Sequence, residues 1–141
     1  MSSWLWYAIA AALLYGAHQI FTRLAADHIG DGLGGFIVEA TAALTILLYL
    51  MILWISGRTE QKFDIAGLNY SILTGLCVGA GTVVFFLLFQ RGGPLSAVPA
   101  ILAAGGALMA LAGLVFFNEP LSWQRLVGVA CALISLALLR Y

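Results

Sequence analysis

Residues 34–55 read GGFIVEATAALTILLYLMILWI. Across 22 positions this run carries a single charge, Glu39. A helix crosses the hydrocarbon core of a bilayer with about 17–25 mainly apolar residues, so the run is expected to span a membrane. On its flanks the character of the chain changes. TRLAADHIGDG (residues 22–32) precedes it with charges and glycines, and SGRTEQKFD (56–64) follows it as the most water-compatible stretch of the chain.

Working outward, the same alternation repeats. Apolar runs cover Trp4–Phe21, Ile65–Phe89, Leu95–Phe117 and Trp123–Leu139, with QRGGP and NEPLS separating the last three. Lipid cannot satisfy an open backbone amide, so each run should be an α-helix. The short alternating segments of a membrane β-barrel do not occur. The expectation is an all-α integral membrane protein: five transmembrane helices at about 4–21, 34–55, 65–89, 95–117 and 123–139, forming one domain over residues 1–141. Composition agrees. The chain is 63% hydrophobic and 9% charged with mean hydropathy +1.05, whereas a soluble domain is about 25% charged.

Other classes fall away. A formal charge of zero offers no basic patch for nucleic acid. No phosphate-binding loop, dinucleotide fingerprint or nucleophile elbow occurs, and neither histidine has companions at metal-ligand spacing. No enzyme activity, cofactor or metal is expected. The opening MSSWLWYAIA lacks the positive region of a cleaved signal. Cys77 and Cys131 lie within apolar runs and read as buried free thiols. Gly75 with Gly79, Ala12 with Gly16 and Gly128 with Ala132 are small-residue pairs that read as helix-packing contacts. Trp4, Trp6, Tyr49, Trp54, Trp123 and Tyr141 mostly stand near span ends, where aromatic rings anchor at headgroup level.

An odd number of spans puts the termini on opposite sides. Loops on the N-terminal side hold Arg58, Lys62 and Arg125, and the other side holds Arg23, Arg91 and Arg140. Membrane orientation follows the Lys and Arg bias, and three against three gives none. Chance in a charge-poor chain accounts for the tie. So does dual topology, in which two copies pair head to tail.

The polar residues inside the runs carry the functional question. Tyr15, His18, Gln19 and Thr22 fall at i, i+3, i+4 and i+7, one stripe along the first helix. Glu39 lies about 7 Å inside the second run, and His18 a similar depth inside the first. A charge at a helix centre costs roughly 2.5–3.5 kcal/mol on insertion scales and less near the interface. Two readings of Glu39 stand: a rim carboxylate paired with His18 or Arg23, or a cavity carboxylate that takes a proton or a cation. Pro99 also has two readings. It removes a partner from the Leu95 carbonyl, as a tolerated kink or as an interrupted helix that offers backbone groups to a solute. Pro94 reads as a helix-start proline.

GGPLSAVPAILAAGGALMALAGLVFFNEPLSWQRLVGVACALISLALL (residues 92–139) resembles the EamA-type domain of the drug/metabolite transporter superfamily. The features that carry the likeness are Ser96 and Pro99 at a helix entry, Glu119 before a short loop and Gly128 in the closing helix. LLYGAHQIFTRLA in the first helix is similar to the family's opening helix. Typical members join two five-helix domains of opposite orientation, and this chain looks like one of them. The resemblance implies a small-solute transporter in the inner, cytoplasmic-type membrane, working by alternating access as a dimer. That dimer would be an inverted homodimer or a pair with a second half-size chain. Tyr15, His18, Gln19, Glu39, Gln90 and Pro99 are the expected lining, with Glu39 the candidate proton or cation site. Tyr15 stands where small multidrug-resistance relatives place a glutamate, eight residues before a basic residue, so their exchange chemistry is not carried over. Glu39 stands about where many EamA domains have an arginine. Glu119-Pro120 reads as loop structure or a gate ion pair. The alternative is a non-transporting membrane subunit, or a lipid-carrier flippase component that needs a partner chain.

Overall fold

The computed structural model describes residues 3–57, 62–120 and 122–138, with backbone only for Ser3, Arg125 and Leu136. Arg58, Leu139, Arg140 and Tyr141 lie outside the described residues, as does the side chain of Arg125. The described chain forms five α-helices: α1 (Ser3–Ala26), α2 (Asp31–Ile55), α3 (Ile65–Gln90), α4 (Val98–Phe116) and α5 (Trp123–Leu138). A 3₁₀ turn, Leu95–Ala97, leads into α4. Three helical stretches, Asp31–Ile55, Ile65–Gln90 and Leu95–Phe116, are long and apolar enough to cross a membrane. α1 has the length, but its His, Gln and interfacial aromatics dilute it. α5 has 16 described residues around an apolar stretch, Leu126–Ser135.

Helix ends follow local chemistry rather than the limits of the apolar runs. α1 continues five residues past Phe21, where Arg23 pairs with Asp27 at i+4 across 2.5 Å. Asp31, in the first turn of α2, complements the positive end of the helix dipole. α3 ends at Gln90, and Gly92 takes a left-handed φ of 84° in the turn that follows. α4 ends beside Asn118, whose φ of 50° is the left-handed geometry that asparagine tolerates.

The chain divides into two compact units, residues 1–93 and 94–141. In the first, α3 packs against both α1 and α2. The contact is concentrated where α1 finishes, α2 begins and α3 finishes. Phe86 (0% exposed), Phe89 (2%) and Thr22 (2%) fill that end. Gly34 and Gly35 let the α2 backbone reach them: a Cβ on Gly34 would lie 2.5 Å from Phe86 Cε1, and one on Gly35 3.1 Å from Val83 Cγ2. Between helices in lipid there is no hydrophobic drive, so such close van der Waals approach is what holds them. In the second unit α4 and α5 pack on each other, with Val98, Ala100 and Ala107 buried.

Two expectations are corrected here. The glycines of the small-residue pairs make no close helix approach among the described residues. A Cβ on Gly16, Gly75, Gly79 or Gly128 would meet nothing within 4 Å, and the adjacent Gly34-Gly35 pair makes the close approach instead. The thiols of Cys77 and Cys131 are free but exposed rather than buried.

Candidate functional site

The polar side chains of the first unit separate by depth. Along the α1 stripe, Tyr15 is exposed, His18 is half-buried, and Gln19 (7% exposed) and Thr22 are buried. The stripe therefore runs from an open surface into the packed end. Thr22 Oγ1 donates to the His18 carbonyl at 2.9 Å, a back-bond to the preceding turn. The His18 ring stands edge-on to Tyr15 with centroids 6.5 Å apart. Among the described residues, two buried polar atoms have no protein partner: His18 Nδ1 and Gln19 Oε1. A buried polar group without a partner costs roughly 1–3 kcal/mol.

Glu39 is met from α3. Thr82 Oγ1 donates to Glu39 Oε1 at 2.5 Å, and Thr82 is 5% exposed. This replaces the expected pairing with His18 or Arg23. Arg23 is engaged by Asp27 and lies 6.0 Å from the centroid of the Phe89 ring. Packing explains the choice of partner, since α2 lies against α3 far more than against α1. Glu39 is eight residues from the start of α2 and Thr82 eight from the end of α3. In antiparallel neighbours that puts both about 12 Å in from the same side, a depth His18 shares on α1. Thr82 is the last hydroxyl of α3, the signal by which the sequence could have found it.

Gln90 ends α3 and its Nε2 donates to the Ile29 carbonyl at 2.9 Å, tying α3 to the α1–α2 connection. It is exposed and acts at the rim. Pro99 lies in the second unit. It is the second residue of α4, where its missing N–H would have no helical acceptor, and the Val98 N–H bonds the Leu95 carbonyl. The interrupted helix expected at Pro99 is thus absent; the 3₁₀ turn absorbs the geometry. Pro99 lines a shallow groove of about 440 Å³ with Ser96, Cys131 and Ser135. Glu119 also belongs to the second unit: its N–H bonds the Gly113 carbonyl at 3.1 Å, and its carboxylate packs over Gly113.

Long apolar helices, with a half-buried carboxylate–hydroxyl pair between two of them, are the architecture of a multi-pass membrane protein. The chain belongs to the EamA-like transporter family, whose model matches residues 2–141. It is a multi-pass membrane protein of a family of transporters that move solutes across a bilayer. No curated protein and no solved structure is similar enough to the chain to match it.

Proposed function

We propose that the chain is a five-span secondary transporter for a small polar or amphipathic solute, working by alternating access as an antiparallel dimer in the cytoplasmic-type membrane. The observation that carries this reading is the set of polar atoms that α1 and α2 hold at membrane depth. Gln19 Oε1 and His18 Nδ1 are buried without partners among the described residues, and Glu39 sits against Thr82. Ionisable and polar groups at membrane depth usually face the bundle interior or a water-filled cavity, which supports a polar passage here. In this reading Tyr15, His18, Gln19 and Glu39 contact the solute and Thr82 orients the carboxylate. Gln90 and Pro99 hold backbone at the rims. Glu39 takes the coupling proton or a cation.

The packing of the first unit supports alternating access, since its helices are joined firmly at one end only. A second copy in the opposite orientation would present the same polar groups to the other compartment, and the even distribution of Lys and Arg supports such pairing. The test is flux into proteoliposomes that contain this chain alone, with Glu39→Gln beside the parent and a thiol label at each terminus to read orientation. Solute or proton flux lost in Glu39→Gln, with both orientations present, is the expected result. Flux that needs a second protein would instead make the chain a subunit or flippase component.

A further inference from the structure

Among the described residues the buried polar side chains are Gln19, Thr22 and Thr82, and all three belong to the first unit. Thr22 bonds the His18 carbonyl, and Thr82 gives its hydrogen to Glu39. Gln19 differs from both. It is 7% exposed, and its Oε1 has no donor among the described residues.

Contacts along one ridge of α3 place that oxygen. Thr82, Phe86 and Phe89 follow each other at i, i+4 and i+7. Phe86 lies against Gly34 of α2, Thr82 bonds Glu39 of α2, and the Phe89 ring faces Arg23 of α1. The ridge therefore lies between α1 and α2. Both α1 and α3 finish at this end, so they run in the same direction, and Gln19 is one turn before Arg23. Measured inward from the Phe89–Arg23 contact, Gln19 stands about 6 Å deep and Thr82 about 10.5 Å deep. Long helical side chains lean toward the helix N-terminus, which carries the Gln19 amide toward Thr82. Gln19 Oε1, Thr82 Oγ1 and the Glu39 carboxylate thus share a level just beyond the buried Phe86 ring.

That level is rich in acceptors. The Thr82 hydrogen is already given to Glu39, and neither an ionised carboxylate nor an amide oxygen has one to offer. Arg23, the basic residue next along α1, is paired with Asp27. A proton on Glu39 would serve one acceptor and leave the Gln19 oxygen as it is. Gln19 Oε1 is closed to solvent, so its partner is smaller than a water or an ammonium group on a carbon chain. Hard cations take oxygen ligands, and a single carboxylate matches a single positive charge. Potassium is larger and is held by rings of backbone carbonyls. His18 Nδ1 takes no part, since imidazole favours transition metals.

We propose that Gln19 Oε1, Thr82 Oγ1 and the Glu39 carboxylate form a binding site for one dehydrated sodium ion. Its purpose rests on the transport reading, in which sodium rather than a proton is then the coupling ion. Its existence does not.

Thermal unfolding of the purified full-length chain in detergent, with sodium chloride exchanged for potassium or choline chloride at constant ionic strength, tests the site. Sodium at ten times its dissociation constant should raise the midpoint by about 4 °C, with no rise in potassium or choline. Gln19→Leu, Glu39→Gln and Thr82→Val should each abolish that rise, and Thr82→Ser should keep it. The shift is read within each variant, so a change in starting stability does not disturb it, and the comparison of salts on the parent needs no variant. No rise, an equal rise in potassium, or a rise retained in Gln19→Leu would overturn the proposal. Flux in proteoliposomes separates its failure from that of transport. Sodium-dependent stabilisation without flux keeps the ion site and argues against transport. Flux that follows a pH gradient and ignores sodium keeps transport and overturns the ion site.

Discussion

The first unit has two ends built from the same three helices, and they differ in almost every respect. At one end Phe86 and Phe89 are buried, Gly34 and Gly35 admit the α2 backbone, and Gln90 bonds the Ile29 carbonyl. At the other, Trp6 of α1, Trp54 and Ile55 of α2 and Tyr70 of α3 are each more than 60% exposed. Apolar content does not separate them, since both ends are greasy. What separates them is side-chain shape and hydrogen bonding: a flat ring against a glycine, and an amide within reach of a carbonyl. In water the open end would collapse. In lipid its faces are already solvated by hydrocarbon, so three helices can stand joined at one end and apart at the other. Glu39 and Thr82 sit where the joined part ends, the position a solute reaching in from the open side would meet last.

The sharpest way to break this contrast is one methyl group at each end. Gly34→Ala puts a Cβ into the fully buried Phe86 ring, which has nowhere to move. A loss of about 3 kcal/mol is expected, the upper part of the range for overpacking a close contact. Gly75→Ala meets nothing and should be neutral or stabilising by up to about 1 kcal/mol, the helix-propensity gain. Thermal unfolding of both variants in the same detergent reads the difference. Equal losses would mean that the open end is packed after all.

These two glycines also show what the sequence can reveal. Hydropathy located the five described helices, three of them long and apolar enough to cross a membrane. It could not tell which glycines touch a neighbour. GxxxG spacing at Gly75 and Gly79 is a contact rule for faces that meet, and whether faces meet is a tertiary fact. The Gly34-Gly35 pair has no such spacing, and its role depends on Phe86, about fifty residues away in the chain. The candidate site was legible in the same uneven way. A carboxylate and a His-Gln stripe inside apolar helices stand out by cost alone. Their partners depend on which helices pack together, and α2 lies on α3, which brings Glu39 to Thr82 rather than to His18 or Arg23.

The next effect in size concerns that pair. Thr82→Val keeps the shape of the side chain and removes the donor to Glu39. A carboxylate left at membrane depth without it should cost about 2 kcal/mol of stability. Glu39→Gln can still accept from the Thr82 hydroxyl, so it should cost less than Thr82→Val while losing any flux that requires a negative charge. If the two variants lose stability equally and flux not at all, the pair is a fastener and nothing more. Gln90→Ala comes next, at about 1 kcal/mol for an exposed hydrogen bond. Its clearer signature is faster amide exchange in residues 27–30, since the tie between α3 and that connection is gone. Unchanged exchange there would mean that the glycine–phenylalanine contact alone closes this end.

The smallest effect is expected at Pro99, and it discriminates because it is small. A proline that interrupts a helix interior costs about 3 kcal/mol, and replacing it with alanine would straighten and stabilise the helix markedly. At the second position of α4 the ring displaces no hydrogen bond, and the 3₁₀ turn before it already satisfies the Leu95 carbonyl. Pro99→Ala should therefore move stability by less than about 0.5 kcal/mol, with helix content by circular dichroism unchanged. A large gain in either would place the proline inside a continuous helix and return the midplane break to the argument. Flux through Pro99→Ala separates the causes further. If stability holds and transport falls, the proline matters for how the Ser96 and Ser135 groove moves, a property of the helix entry that no static contact contains.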